Sequence, residues 1–242
     1  MSEALVERGR AALAEAYLRT GDYDAVDLVV EQALASAESA GDRMAEAAAV
    51  ALQGMTLHFR AIDLPPEERS AVDPGPEEAL FEHALAQRRE LDDVEGIAES
   101  LYQLGLVHQV LRRDLETGSP YVREALVLIE AVPDAEPLLR SEIHRHVGFD
   151  LLLREERHDA AIFHLRTSLE LRRQLPERGW IVSALIALAL AQRLAGRPEE
   201  AVASSREALA LASDQRLRER FVAGAENSLR DSQSALEERA GG

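Results

Sequence analysis

Four of the chain's seven histidines, His144, His146, His158 and His164, fall within 21 residues. Imidazole is the commonest metal ligand and the side chain that titrates nearest neutral pH, so this is where chemistry is sought first. His144 and His146 stand two apart, roughly 200° around a helix axis, and cannot share one ion. Glu142, His146 and Asp150 are better spaced, at i, i+4 and i+8 on one helical face, and two carboxylates with an imidazole suit a divalent metal. Such a site needs a further donor from a neighbouring helix, and Glu99 is the candidate. The plainer reading is a surface stripe of polar residues. We therefore expect no bound metal and no cofactor, and keep Glu99, Glu142, His146 and Asp150 as the alternative metal set. There is no glycine-rich phosphate loop, nucleophile elbow or His-Glu-x-x-His helix. Cysteine is absent, which removes disulfides and thiolate metal sites. No catalysis is expected.

These residues have to be positioned by helices. The chain is 46% apolar, mostly Ala and Leu, and only 4% aromatic. Ala and Leu cost least in a helix, and Ala lets two helices approach closely. Runs with the period-two alternation of strands are missing. Gly21-Asp22 and Gly41-Asp42 each pair a helix-ending glycine with the next N-cap. Pro65-Pro66, Asp73 to Pro76, Asp92-Asp93, Pro133 to Pro137, Pro176 to Gly179 and Gly196 to Pro198 mark further breaks. Between them lie about eleven segments with helical periodicity. Two-residue joints turn neighbouring helices antiparallel.

The segments repeat. A small residue after an apolar or amide one stands midway through alternate segments, at Leu13-Ala14, Gln53-Gly54, Leu104-Gly105, Val147-Gly148 and Leu188-Ala189. A small residue followed by Leu stands late in the intervening ones, at Ala33-Leu34, Ala84-Leu85, Ala125-Leu126, Ser168-Leu169 and Ala208-Leu209. The second landmark recurs after 51, 41, 43 and 40 residues. Near-constant spacing of this kind marks a solenoid, each unit burying its apolar face on the next.

Leu13-Ala14 with Tyr17, then Gly21-Asp22-Tyr23, then Ala33-Leu34 resembles the tetratricopeptide repeat. Leu104-Gly105 with Ala125-Leu126, and Gly196 with Ala201 and Ala208-Leu209, repeat much of that pattern. Leu80 to Leu85 and Ser100 to Val110 resemble stand-alone actinobacterial-type tetratricopeptide proteins, and the absence of lysine among the 27 basic residues points to a GC-rich bacterial coding sequence. The first-helix Trp of the pattern is replaced by Arg10, Leu101 and His144. The spacing exceeds the usual ~34 residues and resembles the longer variety found in kinesin light chains; a period of ~40–47 also occurs in HEAT and armadillo arrays, but those lack the ordered landmarks seen here. The resemblance implies an all-α, right-handed superhelical solenoid of five antiparallel helix pairs in one domain, 1–242. The repeats are expected at 3–41, 42–92, 93–134, 135–177 and 178–213, with a capping helix at 214–239. Residues 60–75 enlarge the turn inside the second pair and are expected to form a tolerated surface loop.

In that architecture first helices line a concave face, so the resemblance implies a protein- or peptide-binding scaffold. Aligning on the first landmark places His58, Phe59, Glu99, Tyr102, Leu106, Gln109, Glu142, Arg145, His146, Phe149 and Arg193 on the groove. The alternative is a small-molecule or metal protein, or an enzyme, centred on Glu99, Glu142 and His146. With 44 acidic against 27 basic residues the formal charge is −17, which excludes nucleic acid and anionic membrane surfaces as natural partners and favours one of basic character. The longest apolar run, residues 181–191, is too short to cross a bilayer, and the first residues lack the apolar stretch of a secretory leader. A cytoplasmic monomer or homodimer is expected. Glu99 and Glu142 share one repeat position. Arg145, three residues after Glu142, can neutralise that carboxylate, leaving Glu99 for a partner's cation; removing either carboxylate is then expected to leave stability unchanged or slightly raised.

Overall fold

The computed structural model describes residues 1–241, and among them every regular element is helical. They gather into two compact units, the first ending at Pro133 and the second starting at Asp134.

The first unit holds α1 (Ser2–Glu15), α2 (Tyr23–Ala40), α3 (Arg43–Ile62), a single turn α4 (Pro66–Arg69), α5 (Gly75–Glu90), α6 (Val94–Leu106) and α7 (Leu115–Glu130). π-helical turns at Ala16–Thr20 and Val107–Leu111 continue α1 and α6. One device makes four of the joints. A residue in the left-handed conformation ends a helix, and the Asp after it caps the next. Gly21, Gly41, Asp92 and Arg113 take the positive φ. The carboxylates of Asp22, Asp42, Asp93 and Asp114 then accept from the backbone N–H of Ala25, Ala45, Gly96 and Thr117 at 3.0–3.1 Å. Each such cap stabilises its helix by about 1 kcal/mol. These joints are too short for anything but reversal, so α1 packs on α2, α2 on α3, α5 on α6 and α6 on α7, while α5 returns onto α3 across the longer connection at 63–74. Val6, Ala33, Ala37, Ala45 and Ala49 form one continuous core patch, and Leu13, Tyr23, Val26, Val30 and Leu52 another.

The glycines of the first landmark mark close crossings. A Cβ on Gly54 would meet the fully buried Phe81 ring, and one on Gly105 would meet Val122. Residues 60–75 are more ordered than the expected loop. Tyr23 Oη donates to Asp63 at 2.6 Å, and the Arg69 guanidinium closes α4 back onto the carbonyls of Ile62 and Leu64 at 2.7 and 3.0 Å.

The second unit holds α8 (Pro137–Leu153), α9 (His158–Arg173), α10 (Gly179–Leu194), α11 (Pro198–Asp214) and α12 (Glu219–Gly241). α8 begins on Glu136, whose carboxylate accepts from Leu138 and Leu139 N–H at 2.9 and 2.6 Å. Glu156, Gly196 and Arg216 take the left-handed conformation here. Gly148 repeats the close crossing against Leu165. α12 lies over α11 and α10, buries Phe221, Ala225 and Ser232, and so covers the end of the last helix pair, as a solenoid requires. Among the described residues the first unit thus holds three helix pairs and the second two with a terminal covering helix, all-α as expected. Among the described residues, no helix is long and apolar enough to cross a membrane.

Candidate functional site: glutamates held by arginines

Four residues beyond the small residue of the second landmark, three repeats carry Ala37, Ile129 or Ala212. The other two carry arginines at the same place, Arg88 in α5 and Arg172 in α9. Both are buried, 2% and 0% exposed. A guanidinium without water needs acceptors for its donors, and both find them in matching places. Arg88 donates to the Gly96 carbonyl at 3.0 Å and to Ser100 Oγ at 2.7 Å on α6. Arg172 donates to the Trp180 carbonyl at 2.8 Å and to Ser183 Oγ at 2.6 Å on α10. Gly96 and Trp180 each stand nine residues before the first landmark's small residue, Gly105 or Ala189. One repeat position thus grips the start of the following first helix twice over.

Each arginine also holds a carboxylate. Arg88 Nη2 donates to Glu99 Oε2 at 2.5 Å, while Arg10 of α1 reaches the same group at 3.2 and 3.4 Å. Arg172 lies 2.6 Å from Glu142 Oε1 and also donates to Ser141 Oγ at 3.0 Å. On its other side, Arg145 Nε donates to Glu142 Oε2 at 3.0 Å. The two glutamates are 14% and 15% exposed. Burial by itself would raise a carboxyl pKa, but Arg10 and Arg88 outweigh it for Glu99, and Arg145 and Arg172 for Glu142. Each is held down to about 2. The expectation of a Glu99 left for a partner's cation is therefore corrected, because two guanidinium groups of its own unit already neutralise it.

On α8 the charged group continues into an aromatic one. Arg145 Nη2 lies 2.8 Å from His146 Nε2, and the guanidinium stands 5.6 Å from the centroid of the Phe149 ring. His146 meets that ring edge-on with centroids 6.1 Å apart. Glu142, Arg145, His146 and Phe149 form one contiguous group, in which Arg145 and Phe149 stay partly exposed.

Residues 139–214, which run from α8 to the end of α11, match the family model described as tetratricopeptide repeat. That stretch carries the tetratricopeptide repeat pattern. The crystal structure of BtubC (BKLC) from P. vanneervenii superposes with a TM-score of 0.58 over 88% of this chain and 82% of that one. The identity is 18%, so the likeness is one of fold. No curated protein matches. Tetratricopeptide repeats are, as a class, modules of protein–protein interaction.

The residues assigned to a groove from sequence divide by burial. His58, Tyr102, Leu106, Gln109 and His146 are buried within their own units; Phe59, Glu99, Glu142, Arg145, Phe149 and Arg193 are partly exposed. His58 Nδ1 lies 3.1 Å from Glu77 across α3 and α5, and Phe59 stacks on Tyr17 with centroids 4.1 Å apart. Asp150 is fully buried against the guanidinium of Arg154 at 2.7 Å. Glu99, Glu142 and Asp150 are thus all engaged by arginine. Among the described residues, no three His, Cys, Asp or Glu side chains gather as a metal site would need. Sequence reasoning missed Arg88 and Arg172. Their signal was present: a long cation at a landmark position where the other repeats carry small or apolar residues.

Proposed function

We propose that the chain is a protein- or peptide-binding scaffold that uses the partly exposed faces of its first helices, and that it is not an enzyme. The observation that carries this reading is the group on α8. Arg145 and Phe149 stand one turn apart and partly exposed, with Arg145 fixed by Glu142 and His146 beneath it. Arg and aromatic side chains dominate binding energy at interfaces. Holding them in place beforehand removes part of the ordering cost of association. The chain's net charge of −17 steers a partner of basic character toward it, and that steering is screened over about 10 Å at 0.1 M salt.

The test starts from cross-linking in the native host and mass spectrometry to find the partner, followed by titration calorimetry with the purified pair. Arg145→Ala and Phe149→Ala are each expected to weaken binding by about tenfold or more. Association should also slow as salt rises. If both variants bind like the parent, the first-helix face of α8 is not the docking surface.

A further inference from the structure

The net charge is not shared evenly. The first unit holds 26 acidic and 11 basic residues, the second 18 and 16. The field that steers a basic partner therefore belongs to the first unit, and contacts on the second are decided locally. In the second unit α8 and α10 run in the same direction, two reversals apart, and touch. Phe149 and Leu190 each follow the small residue of the first landmark, Gly148 or Ala189, and Leu153 and Leu194 stand one turn further along the same faces. Leu153 is 52% and Leu194 41% exposed, while Phe149 and Leu190 are partly buried. Four apolar side chains thus hold matching places on neighbouring helices and keep part of their surface in water. Between Leu190 and Leu194 comes Arg193. Among the described residues it is the one partly buried arginine without a hydrogen bond, ion pair or ring contact. The inward carboxylates of α8 are engaged elsewhere, Glu142 by Arg145 and Arg172 and Asp150 by Arg154.

We propose that this face of α8 and α10 docks an acidic amphipathic helix of a partner protein, whose apolar side sits on Phe149, Leu153, Leu190 and Leu194 and whose carboxylate pairs with Arg193. A guanidinium partly out of water needs acceptors for its donors, and a carboxylate offers two in matching geometry. The apolar residues stand one turn apart on each helix, which is the step at which a docked helix presents its own i, i+3 and i+4 side chains. An extended segment fits less well. Its backbone N–H and C=O groups would lie on leucines that cannot bond them, whereas a helix satisfies its own. The inference rests on the scaffold reading and extends it. α10 joins the docking surface, and the segment seated there is acidic even in a partner whose overall charge is basic.

The test uses two synthetic peptides of about five helical turns, stapled to hold them helical and labelled for fluorescence anisotropy. Both carry the same leucine stripe, flanked by glutamates in one and by glutamines in the other. The negative charge of the whole chain repels the glutamate peptide, so any preference for it comes from a local cation. With the full chain at physiological ionic strength, the glutamate peptide should bind about tenfold or more tightly than the glutamine peptide. Arg193→Gln should erase that difference, whereas Arg206→Gln, at an exposed arginine of α11 and with the same change in net charge, should preserve it. Leu153→Ser and Leu194→Ser, at exposed positions, should each weaken both peptides by about fivefold or more. Circular dichroism establishes that the variants fold. Equal binding of the two peptides by the parent, no binding of the glutamate peptide, or a preference that survives Arg193→Gln overturns the proposal. Those results leave the scaffold reading standing as long as Arg145→Ala and Phe149→Ala weaken the native partner, so the two readings fail separately.

Discussion

Arg172→Met is the most informative single change. Methionine nearly fills the space of the arginine stem, so the cavity left is small and the loss is polar. Arg172 is fully buried and engages Ser141, Trp180, Ser183 and Glu142. Removing it strands acceptors on two helices and leaves Glu142 with Arg145 from this pair of cations. Breaking a buried ion pair from one side costs about 3–5 kcal/mol. In a chain of this size each kcal/mol moves Tm by about 2–4 °C, so a drop of about 6–20 °C is expected by circular dichroism. Glu142→Gln is the companion. Holding this carboxyl at about 2 instead of 4.5 corresponds to about 3 kcal/mol. Because the folded pKa is the depressed one, that stabilisation is complete above the ordinary carboxylate range and disappears as pH falls from about 4.5 to about 2. Glu142→Gln should therefore melt well below the parent at pH 7 and close to it near pH 2. This reverses the sign expected from sequence, where removal of a carboxylate was to be neutral or favourable. An Arg172→Met protein melting within about 2 °C of the parent, or a Glu142→Gln protein as stable as the parent at pH 7, would refute the reasoning.

Three further outcomes are expected. Gly54→Ala, Gly105→Ala and Gly148→Ala each press a methyl into Phe81, Val122 or Leu165 and should cost about 1–3 kcal/mol in urea unfolding. Gly224→Ala, with Ile186 at an ordinary 3.6 Å from the added atom, should instead stabilise by about 0.5–1 kcal/mol. Truncation after Ser213 removes α12, uncovers α10 and α11, and should lower both solubility and Tm, whereas removal of residues 236–242 should leave the melting curve almost unchanged; an unaltered Tm in the longer truncation would show that α12 does not protect the array.

Where the sequence was legible, a local rule and a packing rule agreed. Gly54, Gly105 and Gly148 stand at a fixed place in the repeat because the neighbouring helix leaves no room for a side chain there. Gly21-Asp22 and Gly41-Asp42 were readable because left-handed conformation and N-cap call for those two residue types in that order. The joints at Arg113 and Glu156 were not readable. They take the same left-handed conformation with exposed side chains that give no turn signal, and the backbone closes each turn through the N–H of the next residue, Asp114 to the His108 carbonyl at 2.8 Å and Arg157 to the Leu151 carbonyl at 2.9 Å. The charged site was half legible. Glu142 and Arg145 pair within one helix at a recognisable spacing, but Arg10 and Arg88 reach Glu99 from 89 and 11 residues away. No local pattern announces contacts of that range.

Synthesis adds a direction to the buried arginines. The chain leaves the ribosome N-terminus first, so Arg172 emerges before Trp180 and Ser183, and Arg88 before Gly96, Glu99 and Ser100. Until the next first helix arrives, Arg88 lacks all of these acceptors, and Arg172, with only Ser141 and Glu142 of its own hairpin, lacks the Trp180 carbonyl and the Ser183 hydroxyl. The order of translation thus couples the second repeat to the third and the fourth to the fifth, the earlier of each completed only by the later. A nascent chain stalled with α10 still in the exit tunnel should exchange the backbone protons of α8 and α9 much faster than the released protein does.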